Sequence, residues 1–345
     1  MTSESTQTIE DESPLLSIEN LSVEFTNYQG TSSVLDCVSL TIERGEILGL
    51  VGESGCGKSV TARTILRLIP QPPGRITSGT IRFEGEDLLS VSDKRMRQVR
   101  GNDISMIFQE PMSSLNPVFT VGNQMREVVR IHRGLKRREA DALCAGMLRQ
   151  VQMPDPEEVL KKYPHELSGG MRQRVMIAME LACDPKLLIA DEPTTALDVT
   201  VQGQVLAILT DLSRQRNISV LMITHDMGVV AQVCDRVAVM YAGRVVELAA
   251  VGELFANPIH PYTRGLIASI PNMDEPESDS RETVDSETLY SIPGTVPTLI
   301  DPPHGCRFHP RCEVRVEPCD RQVPPLRWIT PDHAVACHCC EEGVL

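Results

Sequence analysis

The stretch "GEILGLVGESGCGKSVTARTILRLI" (residues 45–69) constrains this 345-residue chain more than any other. Its first part is an apolar run that reads as a buried strand, and the residues after Lys58 have helical spacing. Between them lies the pattern G-x-x-x-x-G-K-[ST], with Gly52, Gly57, Lys58 and Ser59 at its fixed positions. Small residues there let successive backbone N–H groups turn inward and come close to phosphate oxygens. Lys58 then reaches the β- and γ-phosphates, the Ser59 hydroxyl reaches Mg²⁺, and the following helix adds its positive N-terminal end. A glycine turn without a strand before it and a helix after it would carry much less. Cys56 sits inside this loop, and its thiol is expected to be passive.

Short apolar strands recur along the chain with charged helical stretches between them, which predicts an α/β architecture with a parallel sheet. "LLSIENLSVEF" and "VLDCVSLTI" add a strand-rich N-terminal region, and "DRVAVMYAGRVVEL" has the alternation of a hairpin. From residue 111 the chain turns helical and charged inside this pattern, so a helical subdomain over about residues 111–175 is expected as an insertion. "LLIA" leads into Asp191 and Glu192, where one carboxylate can anchor a phosphate-bound Mg²⁺ and the other can polarise a water. Gln109 follows the strand "ISMIF" and His225 follows "VLMIT". Parallel strands present their C-terminal ends to one edge, so both residues are expected near the γ-phosphate or its metal.

Composition excludes several classes. The formal charge of −14 argues against a general electrostatic grip on nucleic acid. No apolar run reaches 18 residues, and "MTSESTQTIEDES" is polar and acidic, so neither a membrane span nor a signal peptide is expected. Residues 1–14 read as a disordered tail, and residues 272–290 as an acidic linker. With aromatics at 3% and hydrophobic residues at 41%, the core is expected to be aliphatic.

"LSGGMRQRV" (residues 167–175) resembles the signature of ATP-binding-cassette (ABC) ATPases, and the phosphate loop, Gln109, the signature, "LLIADE", "TTALDVT" and His225 fall in that family's order. The resemblance covers residues 15–256. It implies a P-loop NTPase fold: a RecA-like core, the inserted helical subdomain and an antiparallel N-terminal β region. It implies that ATP is held by Gly52, Ser54, Gly55, Cys56, Gly57, Lys58, Ser59, Val60 and Gln109. Ser59, Gln109 and Asp191 serve Mg²⁺, Asp191 through water. Glu192 becomes the general base, with His225 and Lys58 stabilising the phosphates. Ser168, Gly169 and Gly170 face the nucleotide of an opposite subunit, near Asp198, so a second ATPase chain, identical or related, is required. Phe25 is the adenine-stacking ring, with Tyr28 as the alternative.

The segment "NPIHPYTRGLIASIP", then "IPGTVP", then a cysteine-rich end resembles the dipeptide and oligopeptide importer ATPases, a group that includes nickel importers. That implies a hetero-dimeric ATPase at the cytoplasmic face of the membrane. Two permease subunits and an extracytoplasmic binding protein complete the assembly, and no nucleic acid takes part. A soluble ABC ATPase of DNA repair, translation or cofactor assembly is the alternative of another class. Six of the eleven cysteines lie between residues 306 and 340. Cys306, Cys312, Cys319 and Cys337 are separated by five, six and 17 residues, without the close C-x₂₋₄-C pair of a zinc finger. Thiolates are soft ligands, suited to Zn²⁺ or iron–sulfur clusters. In the resembling importer subunits these four positions carry a 4Fe–4S cluster, with Cys339 or Cys340 able to replace Cys337.

Overall fold

A computed structural model describes residues 13–109, 114–195, 197–270 and 291–340. Most of the expected N-terminal tail, the whole acidic linker and the first residues of the helical insertion lie outside these. Alternation of apolar residues in "LSIENLSVEF" places one face of β1 (Leu16–Asn27) on the core. β1 pairs antiparallel with β2 (Gly30–Ile42) and β4 (Gly74–Phe83), and the short β5 (Glu86–Asp87) closes this four-stranded sheet.

The second sheet has eight strands. Its centre is parallel: β6 (Ile104–Ile107), β7 (Leu187–Asp191), β8 (Ser219–Thr224), β3 (Ile47–Val51) and β9 (Arg236–Tyr241), side by side in that order. The expected hairpin follows, with β10 (Arg244–Ala250) antiparallel to β9. Two strands from the cysteine-rich end, β11 (Arg327–Thr330) and β12 (His333–Val335), extend the sheet beyond β10.

Central parallel strands are covered on both faces, so they read as unbroken apolar runs whose side chains still alternate between two cores. Leu187 and Ile189 of β7 join Leu221 and Ile223 of β8 and Leu48 and Leu50 of β3 in the cluster under the antiparallel sheet. Leu188 and Ala190 join Val220, Met222 and Ile47 in the other cluster. That second cluster is roofed by α3 (Val121–Arg133), α4 (Arg137–Gln150) and the short α5 (Pro156–Val159), together with α6 (Gly169–Glu180) and α7 (Val199–Arg216). The remaining helices are α1 (Lys58–Ile65), α2 (Asp93–Val99), α8 (Met227–Val233), α9 (Val251–Ala256) and α10 (Pro261–Ala268).

A third cluster seats the C-terminal extension. Tyr241 of β9 meets Tyr262 of α10 and Phe308, with ring centroids 4.6 and 5.1 Å away. Beside it, the fully buried Glu247 of β10 accepts the backbone N–H groups of Ile259 (2.7 Å) and His260 (3.1 Å). The same carboxylate lies 2.7 Å from Nε2 of the buried His333. One acidic side chain therefore joins β10, the "NPIHPYT" turn and β12. Burial drives His260 down to about 3, so its ring stays neutral and its Nδ1 accepts the Tyr262 N–H at 3.1 Å. Glu247→Ala would leave two N–H groups and His333 without their acceptor, and should lower stability by about 3 kcal/mol or more. Denaturant titration checks this, and the loss should be accompanied by faster proteolysis after residue 257.

Candidate nucleotide site

The C-terminal ends of the parallel strands carry the site. β3 runs out at Val51 and the chain turns at Gly52, whose φ is +149° and where a Cβ would stand 2.1 Å from the Met240 carbonyl oxygen. Only glycine fits there. The loop then enters α1 at Lys58. The Lys58 ammonium donates to the carbonyls of Gly52 (2.7 Å) and Glu53 (3.1 Å). Cys56 is buried, burial raises its thiol above the usual range, and its carbonyl accepts the Gly243 N–H at 2.8 Å. A neutral, inaccessible thiol agrees with the passive role expected of it. Ser54 and Gly55 are exposed along the loop, while Val60 packs partly against the core.

β7 delivers the two carboxylates to different surroundings. Asp191 is fully buried, and Ser59 donates to its Oδ1 at 2.9 Å. Burial outweighs that hydrogen bond and raises the Asp191 carboxyl above the usual range. Its Oδ2 is buried without a hydrogen-bond partner. A buried unpaired carboxylate oxygen is costly on its own, and together with the Ser59 hydroxyl it fits a hydrated Mg²⁺.

At Glu192 the backbone leaves the strand with a left-handed φ of +48°, while its N–H still bonds the Ile223 carbonyl at 2.9 Å. Beyond the turn the Glu192 side chain meets different partners from those of Asp191. Oε2 accepts from Gln109 Nε2 (2.8 Å) and Thr195 Oγ1 (3.0 Å), and Oε1 lies 3.2 Å from His225 Nδ1. Partial burial pushes this carboxyl up, but the hydrogen bonds from Thr195 and His225 outweigh it, so Glu192 is held below the ordinary carboxylate range. Gln109 and His225, from two other strand ends, thus converge on one ionised glutamate. Sequence reasoning missed Thr195, although it begins the stretch "TALDVT"; a hydroxyl three residues beyond the glutamate was the available signal.

The signature lies elsewhere in the chain. Ser168 caps its own helix, accepting the Met171 N–H at 3.3 Å, and Ser168 and Gly169 are exposed. Asp198 likewise caps α7 through Val201 N–H at 3.0 Å. Gly170 has a local packing reason as well: a Cβ there would stand 2.6 Å from Val201 Cγ1. No hydrogen bond among the described residues joins Ser168, Gly169 or Gly170 to the phosphate loop of the same chain. Phe25 is partly buried against the core near Gly74, whereas Tyr28, in the β1–β2 turn, is 95% exposed.

The cysteine block gives less than expected. Backbone hydrogen bonds bring its parts together: Cys306 N–H to Cys319 O at 2.8 Å, and a turn from Cys306 through His309 to Cys312. Burial pushes the Cys306 thiol up to about 12, with the neighbouring Cys319, Cys337 and Cys312 adding to the shift. Yet no three His, Cys, Asp or Glu side chains among the described residues stand in a metal-holding arrangement, so neither the 4Fe–4S nor the Zn²⁺ expectation finds geometric support. At the C-terminal end the thiols have local partners instead: the free thiols of Cys337 and Cys340 are hydrogen-bonded to each other, and Cys339 donates to the Val314 carbonyl at 3.0 Å.

A nucleotide loop at the end of β3, a carboxylate pair on β7 and a helical roof define an ATP-binding-cassette ATPase. The family model for the ABC transporter matches residues 35–195, and that for the oligopeptide/dipeptide transporter C-terminal region matches residues 246–319. A probable peptide ABC transporter ATP-binding protein, y4tR, of Sinorhizobium fredii is 51% identical over 94% of both chains. The dipeptide transport ATP-binding protein DppD of Bacillus subtilis is 48% identical, also over 94% of each. The ATP-binding cassette MJ0796, solved as a dimer bound to ADP and Pi, superposes with a TM-score of 0.61 at 25% identity, covering 68% of this chain and 98% of that one. The chain belongs to the ABC transporter family, as an ATP-binding protein that carries the oligopeptide/dipeptide transporter C-terminal region.

Gly170→Ala should cost about 1 kcal/mol of stability, the clash exceeding the helix-propensity gain. Thermal unfolding of the variant, alone and with Val201→Ala to open the contact, reads the effect; an undiminished melting temperature in the single variant would refute the packing reason.

Proposed function

We propose that this chain is the ATP-hydrolysing subunit of a membrane importer of di- or oligopeptides. The observation that carries it is the ionised Glu192, held by Gln109, Thr195 and His225 at the mouth of the phosphate loop. The substrate class is supported by the matched C-terminal region and by the names of the relatives. Nickel or another solute is the alternative within the same group.

In this reading the loop N–H groups from Ser54 to Gly57 and the Lys58 ammonium bind the phosphates of ATP, with Val60 on the helix behind them. Ser59 and Asp191 would hold Mg²⁺, Asp191 through water and with Gln109 beside it, and the ion would supply charge neutralisation to the phosphates. Glu192, kept ionised, orients the attacking water and accepts its proton, and His225 stabilises the γ-phosphate from the next strand end. Either Phe25 or Tyr28 stacks on the adenine. Ser168, Gly169 and Gly170 complete the site of a second ATPase subunit, with Asp198 nearby. That arrangement is supported by the exposure of Ser168 and Gly169 on the surface of a chain that carries one loop and one signature. Two permease subunits would dock on the region after Gln109, at the cytoplasmic face of the membrane, fed by an extracytoplasmic binding protein. No helix among the described residues is long and apolar enough to cross a membrane, so the spanning parts would come from those partners.

Purifying the tagged chain from membranes tests the whole reading. Integral membrane subunits should co-elute with ATPase activity, and Glu192→Gln should retain ATP while turnover falls by a factor of about 100 or more. Parental turnover in that variant would remove Glu192 as the base. Elution without membrane subunits would favour a soluble ATPase instead.

A soft metal held by Cys306, Cys312, Cys319 and Cys337, 4Fe–4S before Zn²⁺, belongs to the same proposal. Its support is the soft-donor chemistry of the thiols and the resemblance of the block, not an assembled ligand set, with Cys339 and Cys340 as alternates for the last ligand. When bound, such a centre would add folding energy to a region poor in apolar residues. Cys312→Ser should then abolish visible absorbance of anaerobically purified protein and hasten C-terminal proteolysis. A parent chain free of iron and zinc by elemental analysis would refute it.

A further inference from the structure

Glu53, the second residue of the phosphate loop, is held from outside the cassette. Its backbone N–H donates to the Tyr262 hydroxyl oxygen at 2.9 Å. Its carboxylate takes both arms of the Arg311 guanidinium, at 2.8 and 3.2 Å. Its carbonyl receives Lys58 Nζ at 3.1 Å. The carbonyl also accepts the Cys56 N–H at 3.3 Å, so each polar group of this one residue has a fixed partner, and two of the four partners lie beyond residue 256.

Arg311 is itself locked. Its side chain is only 6% exposed. Nε donates to the Pro293 carbonyl at 2.8 Å, Nη2 to the Ile292 carbonyl at 3.3 Å and Nη1 to the Tyr241 hydroxyl at 3.3 Å. The guanidinium also lies 5.8 Å from the centre of the Tyr241 ring and 5.9 Å from that of Phe308. A planar fork fixed at every nitrogen can hold a carboxylate in one orientation only. Tyr262 is equally constrained, being fully buried between Tyr241 and Phe308.

We propose that Arg311 and Tyr262 are positioning residues for the nucleotide site: the C-terminal extension clamps the phosphate loop at Glu53 and so presets the backbone that receives phosphate. Loop N–H groups bind an anion well only if already oriented, because ordering them at the moment of binding subtracts from affinity. The clamp acts on the loop and, through the Glu53 carbonyl, on the resting position of Lys58. No hydrogen bond among the described residues joins Arg311 or the Tyr262 hydroxyl to Glu192, Gln109 or His225, so the clamp should govern binding rather than the chemical step.

This inference rests on the nucleotide-site reading above, and the experiment separates the two. ATP titration and steady-state ATPase kinetics would be measured on the purified assembly carrying Arg311→Ala, Arg311→Lys or Tyr262→Phe. Arg311→Ala should raise both the Kd and KM for ATP by about tenfold with kcat nearly unchanged, the signature of lost ground-state positioning. Arg311→Lys keeps the charge but loses the fork and should fall between Ala and the parent. Tyr262→Phe keeps the ring packing and should raise KM about fivefold, as expected for one lost hydrogen bond. Should Arg311→Ala fail to fold, Tyr262→Phe and Arg311→Lys decide the matter. Parental Kd and KM in both of those would overturn the clamp while leaving the site intact. A parent assembly that does not bind ATP would overturn both.

Discussion

The register of four parallel strands is the constraint on which the nucleotide edge depends. Ile107 pairs with Ala190, Asp191 with Ile223, and Thr224 with Val51, so β6, β7, β8 and β3 finish in one row. The residues just beyond these four strand ends, Gln109, Glu192, His225 and Gly52, are thereby delivered to the same place. Slipping one strand by a residue would turn its alternation over, exchanging Leu187 and Ile189 with Leu188 and Ala190 between two cores of different shape. The hydrophobic layering that stabilises the sheet is thus the same feature that gathers the polar groups. Packing and chemistry cannot be separated at this edge.

Most of that edge was legible in the sequence because its signals are local. A buried strand followed by a glycine loop, or by two carboxylates, fixes a position within a few residues, and the parallel topology does the gathering. The antiparallel N-terminal sheet and the β9–β10 hairpin were legible for the same reason, through period-two alternation. Thr195 was harder, since only the turn at Glu192 brings its hydroxyl back to the carboxylate. Least legible was anything joining the two ends of the chain. Nothing in "GESGCGKS" announces that Glu53 will be met by Arg311, 258 positions later. The cysteine block illustrates the converse: the family resemblance implied four convergent ligands, while Cys339 near the end turns to the Val314 carbonyl.

The two matched family regions are interleaved in space. The segment after residue 256 contributes Tyr262 and Phe308 to a core shared with β9, Arg307 to Asp36 on β2, and His333 to the Glu247 carboxylate. Arg307 is nearly buried, and its Nη2 lies 2.7 Å from Asp36, which also accepts from Arg244. Two guanidinium groups on one carboxylate make a junction that depends on three distant parts of the chain. The nucleotide-binding core and the extension therefore share both apolar burial and charge pairing, and neither presents a clean face to solvent where they meet.

β12 has a further consequence for how such a chain can be cut or rebuilt. It supplies the outer hydrogen-bonding partner of β10 through Glu247, Leu248 and Ala249. Stopping the polypeptide where the cassette resemblance ends would expose that flank of β10 as a bare ladder, open to pairing with any other unfinished molecule. A minimal cassette excised from this chain inherits a sticky side, so its tendency to clump would report a missing neighbour strand rather than a faulty ATPase.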